Sequence, residues 1–337
     1  MQYLISYSLL FIIFLICRLI FINLKSRFYK KHQKFAGRES VPLIGGIVIF
    51  SFICLNFEYF DGYILFFSFL VLCLGISSDC DFINSPKIRL ILQSSLIIIF
   101  VDMLNLNILD LRNEFLNNLI SNYYLNVFFI TFCFLVLING SNFIDGLDGL
   151  NLGYFLSLLI IILTLSQSSK LIINVNQIMI LFYIITFLFL LNIFNYLYLG
   201  DSGSYLIGFS IGALLIVIYK EIPFFSPFFV VLLLWYPCFE NLFSILRKYK
   251  FNLSPLRADN KHLHHLLFFF IKSKFKLTEL TANNFASIFI NFVNLIFFIL
   301  GINFIYNSLI LIIIILSLVL IYMISYLFLF NYRYRKN

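Results

Sequence analysis

Ile138-Asn-Gly-Ser-Asn-Phe-Ile-Asp145-Gly-Leu-Asp148-Gly-Leu-Asn-Leu-Gly153 lies between two apolar runs, Val127–Leu137 and Leu152–Leu165. Asp145 and Asp148 stand three residues apart, each followed by a glycine, and Asn139 and Asn142 precede them at the same spacing. A carboxylate carried to the centre of a bilayer costs roughly 2.5–3.5 kcal/mol. Acids beside apolar runs of this length therefore either stay at the ends of the spans or serve a site. The reading is helix, polar turn, helix, with a turn richer in polar groups than a connection needs.

The rest of the chain fits that frame. Of its 337 residues 62% are hydrophobic and 11% charged, with a mean hydropathy of +1.01. This excludes a soluble domain and predicts a polytopic membrane protein. No polar linker divides the sequence, so residues 1–337 are expected to form a single integral-membrane domain. Six scattered cysteines without a C-x-x-C spacing are read as small apolar residues. The apolar run at Met1–Asn23, which has no basic leader, is expected to be a retained first span.

About 20 apolar residues are needed to span the hydrocarbon. By that measure about eleven transmembrane helices are expected, near 3–23, 41–58, 62–78, 89–104, 124–140, 150–167, 173–195, 203–219, 225–246, 283–303 and 306–330. With the N-terminus outside and the C-terminus cytoplasmic, 20 of the 23 Lys and Arg residues lie in or beside the inner segments, with Arg112, Lys170 and Lys220 the exceptions. The positive-inside rule selects this orientation. The net charge of +8 is then a topology signal and not a nucleic-acid footprint. The same orientation puts the polar motifs at one face, which describes a site assembled at the membrane surface.

Each motif has a plainer reading beside a functional one. Gly200-Asp201-Ser-Gly-Ser204 can be a helix cap, or a carboxylate and glycine turn where a diphosphate approaches backbone N–H groups. Asp79-Cys80-Asp81 with Ser85-Pro86-Lys87 can be a capped helix start with proline at its first position, or part of the acidic site. His262-Leu-His264-His265 lacks a convincing zinc spacing, and with Arg257 and Lys261 nearby it suits phosphate or nucleotide contacts. Leu266–Lys276, mixing phenylalanines and lysines, reads as an interfacial segment. Together, several acids, a few bases and glycine turns at a membrane surface suit phosphoryl transfer to a lipid phosphate. The acceptor is already anionic and needs little deprotonation, so the barrier lies in bringing two anions together.

These motifs resemble the polyprenyl-phosphate N-acetylhexosamine-1-phosphate transferases, from about Arg38 to His265. The parts that carry the resemblance are N-x-x-N-x-x-D-G-x-D-G at Asn139–Gly149, G-D-x-G-S at Gly200–Ser204, R-x-D-x-x-H-x-H-H at Arg257–His265 and P-x-x-G-G at Pro42–Gly46. The resemblance implies an all-α bundle of ten or eleven helices in the bacterial inner membrane with a cytoplasmic site. It implies transfer of an N-acetylhexosamine 1-phosphate from a UDP-sugar to polyprenyl (undecaprenyl) phosphate, releasing UMP. That would be the initiating step of an O-antigen, capsule or related glycan. The implied cofactor is Mg²⁺, with Mn²⁺ as a substitute, and a homodimer is compatible with it. On this basis Asp201 and Asp145 are expected to hold the metal. Asp79, Asp145 and Asp148 are expected to be catalytic, and Arg38, Lys87, Asn139, Asn142, Arg257, His262, His264 and His265 to contact substrate. The H-x-H-H form is more like the N-acetylhexosamine branch than the pentapeptide branch.

One departure stands out, because the family pattern has tandem aspartates where this chain has Asp79-Cys80. Asp79 is the expected surviving member unless Asp81 substitutes, and both direct attack and an aspartyl-linked intermediate stay open. A transporter would instead place its acids near the midplane on broken helices. A catalytically impaired lipid- or nucleotide-sugar-binding relative is the other alternative.

Overall fold

The structure is a computed structural model that describes residues 2–22, 41–168, 175–222, 225–252, 254 and 260–334. Among these, thirteen α-helices form and no strand does; one isolated parallel bridge pairs Leu43 with Tyr198. The helices are α1 Gln2–Ile22, α2 Gly45–Leu55, α3 Gly62–Asp79, α4 Pro86–Met103, α5 Glu114–Ile120, α6 Tyr123–Ile144 and α7 Leu150–Ser168. After these come α8 Val175–Ile193, α9 Gly200–Glu221, α10 Pro227–Lys250, α11 Leu263–Phe275, α12 Glu279–Ile302 and α13 Ser308–Tyr334.

Each expected span corresponds to a helix, but the count of eleven does not follow. Among the described residues seven helices are long and apolar enough to cross a membrane: α3, α6, α8, α9, α10, α12 and α13. Apolar stretches of α1, α2 and α7 are shorter, at Ser6–Ile20, Gly45–Leu55 and Leu150–Ser166. α4 has the length of α3 but carries Lys87, Arg89 and Asp102. The segment between α4 and α6, expected to be a loop, contains α5, with Asn113 capping it by accepting the Leu116 N–H at 3.1 Å.

The centre of the bundle is α9. Its apolar window is 89% buried, against 17% for α13. The sequence explains the difference. α9 is rich in Gly, Ser and Ala, which lets neighbouring backbones approach closely, the usual basis of helix association in lipid. A Cβ on Gly75 of α3 would lie 2.3 Å from Ser202 Cα, and one on Gly46 of α2 would lie 2.7 Å from the Ser202 carbonyl carbon. α13 is made largely of Leu, Ile and Phe, which suit contact with lipid tails.

Proline 237 interrupts α10 and has no N–H for the Leu233 carbonyl. Inside hydrocarbon that carbonyl needs another donor. The buried Tyr154 hydroxyl of α7 supplies it, donating at 2.8 Å. α6 reaches the same kink, since a Cβ on Gly140 would lie 2.3 Å from the Pro237 carbonyl oxygen. These contacts lock α6, α7 and α10 together and fix the end of α6 from which the Asp145–Gly149 turn leaves.

Candidate active site

The first turn of α9 is the base of the site. A helix start leaves its first N–H groups without intrahelical partners. Here the N-cap position is Leu199, whose side chain cannot help. The sequence suggested that Asp201 or a serine would cap this helix. Instead Asp79, the last residue of α3, does so from across the bundle. Its Oδ1 accepts the Asp201 N–H at 2.9 Å and its Oδ2 the Ser202 N–H at 3.0 Å. The Asp145 carboxyl faces the Gly200 N–H. Two acids at a helix N-terminus are also favourably placed against its dipole. Gly200 must be glycine for two reasons: its φ is +74° and a Cβ would lie 2.9 Å from Asp79 Oδ2.

With capping done elsewhere, the Asp201 side chain is left for other contacts. Arg89 of α4 meets its Oδ2 at 3.0 Å through Nη1, and the Ser78 hydroxyl donates to the same oxygen. Arg89 Nη1 also donates to Ser78 Oγ at 2.6 Å. Asn142 donates through Nδ2 to Asp201 Oδ1 at 2.8 Å. Asp201 is thus a polarised carboxylate set among a guanidinium, an amide and a hydroxyl, and it keeps 19% of its side-chain surface exposed.

The Asp145–Gly149 turn forms the second wall. Asp145 follows the last residue of α6 and is half-buried. Its carboxyl is pushed well above the ordinary range by burial first, then by the nearby carboxylates of Asp148, Asp201 and Asp79. Asp148 is buried, and burial raises it to about 7. It is clamped by Asn283 of α12, whose Oδ1 accepts the Asp148 N–H at 3.0 Å and whose Nδ2 donates to Asp148 Oδ2 at 3.0 Å. Gly149 has φ +75°, donates its N–H to Asn192 Oδ1 at 2.6 Å and accepts from Asn291 Nδ2 at 3.0 Å.

The histidines close the site over Gly146. A Cβ on Gly146 would lie 2.8 Å from both His264 Nε2 and His265 Cε1, so this glycine permits a close approach beyond its role in the turn. His264 is fully buried, and neither ring nitrogen has a hydrogen-bond partner among the described residues. Burial, then His265 and His262, holds it well below the usual imidazole range. It is therefore neutral, with one N–H and one lone pair to offer. His262 stacks near His264 at 5.4 Å between ring centroids and lies 5.4 Å from the ring of Phe143.

The structure thus brings together Asp79, Asn142, Asp145, Asp148, Asp201, His262, His264 and His265. It does not turn Asn139 towards them. Asn139 lies almost one turn back along α6 and donates to Gln93 Oε1 at 3.0 Å, and Lys87 is exposed. Arg38 and Arg257 lie outside the described residues. Asp81, the candidate substitute, is exposed in a left-handed turn at φ +60°. The segment Leu266–Lys276, expected at the interface, buries Leu266 and Phe268 against the bundle and leaves Phe275 exposed. Sequence reasoning missed Arg89, Ser78 and Asn283. Arg89 was legible only as inside-positive charge; its place on the other side of α4 from Lys87 follows from helical phase.

The donor set suits a hard divalent cation. Four clustered carboxyl groups with one guanidinium between them repel one another when ionised, and such an ion offsets that repulsion. Among the described residues no three His, Cys, Asp or Glu side chains come close enough to hold a metal by themselves. Mg²⁺ does not require that, since it keeps several waters and takes one or two carboxylates plus phosphate oxygens.

Comparison with known proteins bears on this geometry. Residues 62–219 match the family model described as Glycosyl transferase family 4, a span that includes all four aspartates and ends before the histidines. The undecaprenyl-phosphate alpha-N-acetylglucosaminyl 1-phosphate transferase of Escherichia coli O157:H7 is 30% identical over 278 residues, covering 78% of this chain and 74% of the relative. The protein of the same description from Salmonella typhi is 28% identical over 254 residues, 72% of this chain and 68% of the relative. A probable undecaprenyl-phosphate N-acetylglucosaminyl 1-phosphate transferase of Bacillus subtilis is 35% identical over 140 residues, 39% of this chain and 37% of the relative.

Proposed function

The chain belongs to glycosyl transferase family 4, and from that premise we propose that it transfers an N-acetylhexosamine 1-phosphate from a UDP-sugar to polyprenyl phosphate, releasing UMP. The relatives named for N-acetylglucosamine make that the first sugar to test. The product would begin a cell-envelope glycan such as an O-antigen or capsule. The observation that carries the reading is the convergence of Asp79, Asp145, Asp148 and Asp201 with Arg89 and three histidines at one end of an integral-membrane bundle.

An oxygen of the lipid phosphate attacks the phosphorus that bears the sugar. The bond from that phosphorus to the bridging oxygen breaks, and its electron pair leaves with UMP. Little proton transfer is needed, because the acceptor phosphate is already close to doubly charged at neutral pH. Asp79 is badly placed to be a nucleophile, since both its oxygens hold backbone N–H groups of α9. This favours direct attack over an aspartyl-linked intermediate. Arg89 stands where it can stabilise equatorial phosphate oxygens. The neutral His264 can donate one hydrogen bond without adding charge. Mg²⁺ held by Asp201 and Asp145 would offset the repulsion between donor and acceptor. The site would face the cytoplasm, where UDP-sugars are made.

The test uses sealed membrane vesicles containing undecaprenyl phosphate and Mg²⁺, with UDP-N-acetylglucosamine added outside. Inverted vesicles of the wild type should release UMP, right-side-out vesicles should not, and Asp201→Asn should lower the rate at least a hundredfold, the scale of losing an electrostatic group in such a site. No UMP from any UDP-N-acetylhexosamine would sink the reading, and equal rates from both vesicle orientations would sink the sidedness.

A further inference from the structure

Beyond the residues of the family match lies a buried polar contact that the site as described does not use. Glu240, on α10 three residues past Pro237, is fully buried and both its oxygens are engaged. His262 Nδ1 lies 2.9 Å from Oε1, and the Tyr322 hydroxyl of α13 donates to Oε2 at 2.8 Å. A buried carboxylate is costly unless every lone pair it turns inward is met by a good donor. Here two donors from separate helical segments meet it.

Three features show that this arrangement is built around His262. His262 occupies the N-cap position of α11, where a side chain ordinarily accepts a hydrogen bond from the first turn. Its ring makes no such bond and turns to Glu240 instead. Capping therefore does not explain a histidine there. Tyr322 is held in place by the rings of Trp235, Tyr236, Phe239 and Phe243, all on α10, at centroid distances from 4.9 to 6.5 Å. Its hydroxyl is thus fixed before Glu240 meets it. Arg247, two turns along α10 from Glu240, ties the same segments a second time. It donates to Tyr326 at 3.1 Å and to the backbone carbonyl of Lys261, the residue before His262.

We propose that Glu240 is a positioning residue for the proposed transfer: held by Tyr322, it orients the His262 ring and fixes its tautomer. An ionised carboxylate only accepts, so Nδ1 must carry the proton. With Nδ1 committed to Glu240, the ring meets its other neighbours through Nε2. In water the opposite tautomer of neutral histidine is available to the ring; Glu240 removes that choice. The C-terminal helix α13, which is exposed along most of its length, then has a defined task at the site through one hydroxyl.

The inference rests on the transferase reading, and the test separates the two. The full-length protein is placed in lipid nanodiscs with undecaprenyl phosphate, and UMP release is measured for wild type, Glu240→Gln and Tyr322→Phe. A second readout is the ¹⁵N spectrum of protein labelled at its four histidines. Glutamine keeps the shape and can still accept from Nδ1, but no longer enforces the tautomer. The expected result is a kcat lower by roughly 10- to 100-fold in Glu240→Gln, with the KM for lipid phosphate within about twofold of wild type and an altered ring-nitrogen signal from His262. Tyr322→Phe should fall in the same direction by a smaller factor. Wild-type kcat and an unchanged spectrum in Glu240→Gln would overturn the proposal. If that variant does not fold, wild-type kcat in Tyr322→Phe would do so. Failure of the wild type to release UMP would instead count against the transferase, while the nitrogen spectrum would still decide the contact with Glu240.

Discussion

Two acidic turns, at opposite ends of the bundle, use the same side chain in opposite ways. Asp110 lies between α4 and α5. It accepts from Asn117 Nδ2 at 2.9 Å and from the Arg112 N–H at 2.7 Å, with Arg112 Nε 3.3 Å from Oδ2. These contacts, Asn117 foremost, hold its carboxyl below the usual range. Asp148 also accepts from an asparagine, Asn283, at 3.0 Å, yet burial lifts it to about 7. Hydrogen bonding is common to both turns; access to water is what differs. The distal end folds its acid into a turn that any solvated connection could use. The site end keeps acids where charge is expensive, an arrangement that functional sites favour.

The sharpest way to break this contrast is Gly146→Ala. The added methyl would meet two imidazole rings at 2.8 Å, so the turn or the histidines must shift. The expected outcome is a loss of UMP release of at least about a hundredfold, since misplacement by about 1 Å is enough for that. Activity within threefold of wild type would show that the histidines need not lie against the turn.

A smaller effect comes from pH. Transfer by the wild type should rise through about pH 7 as Asp148 ionises, and Asp148→Asn should be slower by roughly tenfold and lack that limb. Stability runs the other way. The folded carboxyl is raised above its unfolded value of about 3.9, so its contribution is full below that value and is lost as pH rises through about 7. Asp148→Asn should therefore gain thermal stability relative to wild type between pH 5 and pH 8, on the order of a few degrees. A constant difference in melting midpoint across that range would contradict the burial of this charge.

Asp110→Asn should do least. Its lowered folded value contributes stability above about pH 4 that fades as pH falls through the folded value. The variant should melt slightly below wild type at pH 7, converge with it in acid, and release UMP at the wild-type rate. A rate below half of wild type would mean that the two ends are coupled.

Much of this arrangement is legible in the sequence alone. Apolar period and length marked the helices, and the ends of those helices marked the acids. What escaped were partnerships across the bundle. Asn142 and Asn139 look alike in sequence, but helix phase and the neighbour α4 send one to Asp201 and the other to Gln93. Asn283 carries no local signal, because an asparagine in an apolar run is silent until the turn it clamps is placed beside it. Cap chemistry misled for the same reason: Asp201 is a sound N-terminal residue for α9, and only the packing of Gly75 on Ser202 brings Asp79 within reach of the same N–H groups. Among the described residues seven of the eleven expected spans are long and apolar enough to cross a bilayer, while α1, α2 and α7 have shorter apolar stretches and α4 carries three charges.

The cap supplied by Asp79 also orders the birth of the protein. Asp79 leaves the ribosome 122 residues before the N–H groups it will hold. Until α9 arrives, a carboxylate at the end of α3 has no partner at the membrane boundary; until α3 docks, the first turn of α9 has no cap. Neither half can be finished alone, so a nascent chain halted after α8 still holds an unmet acid. Docking α9 on α3 and completing this edge of the acidic site are then a single event.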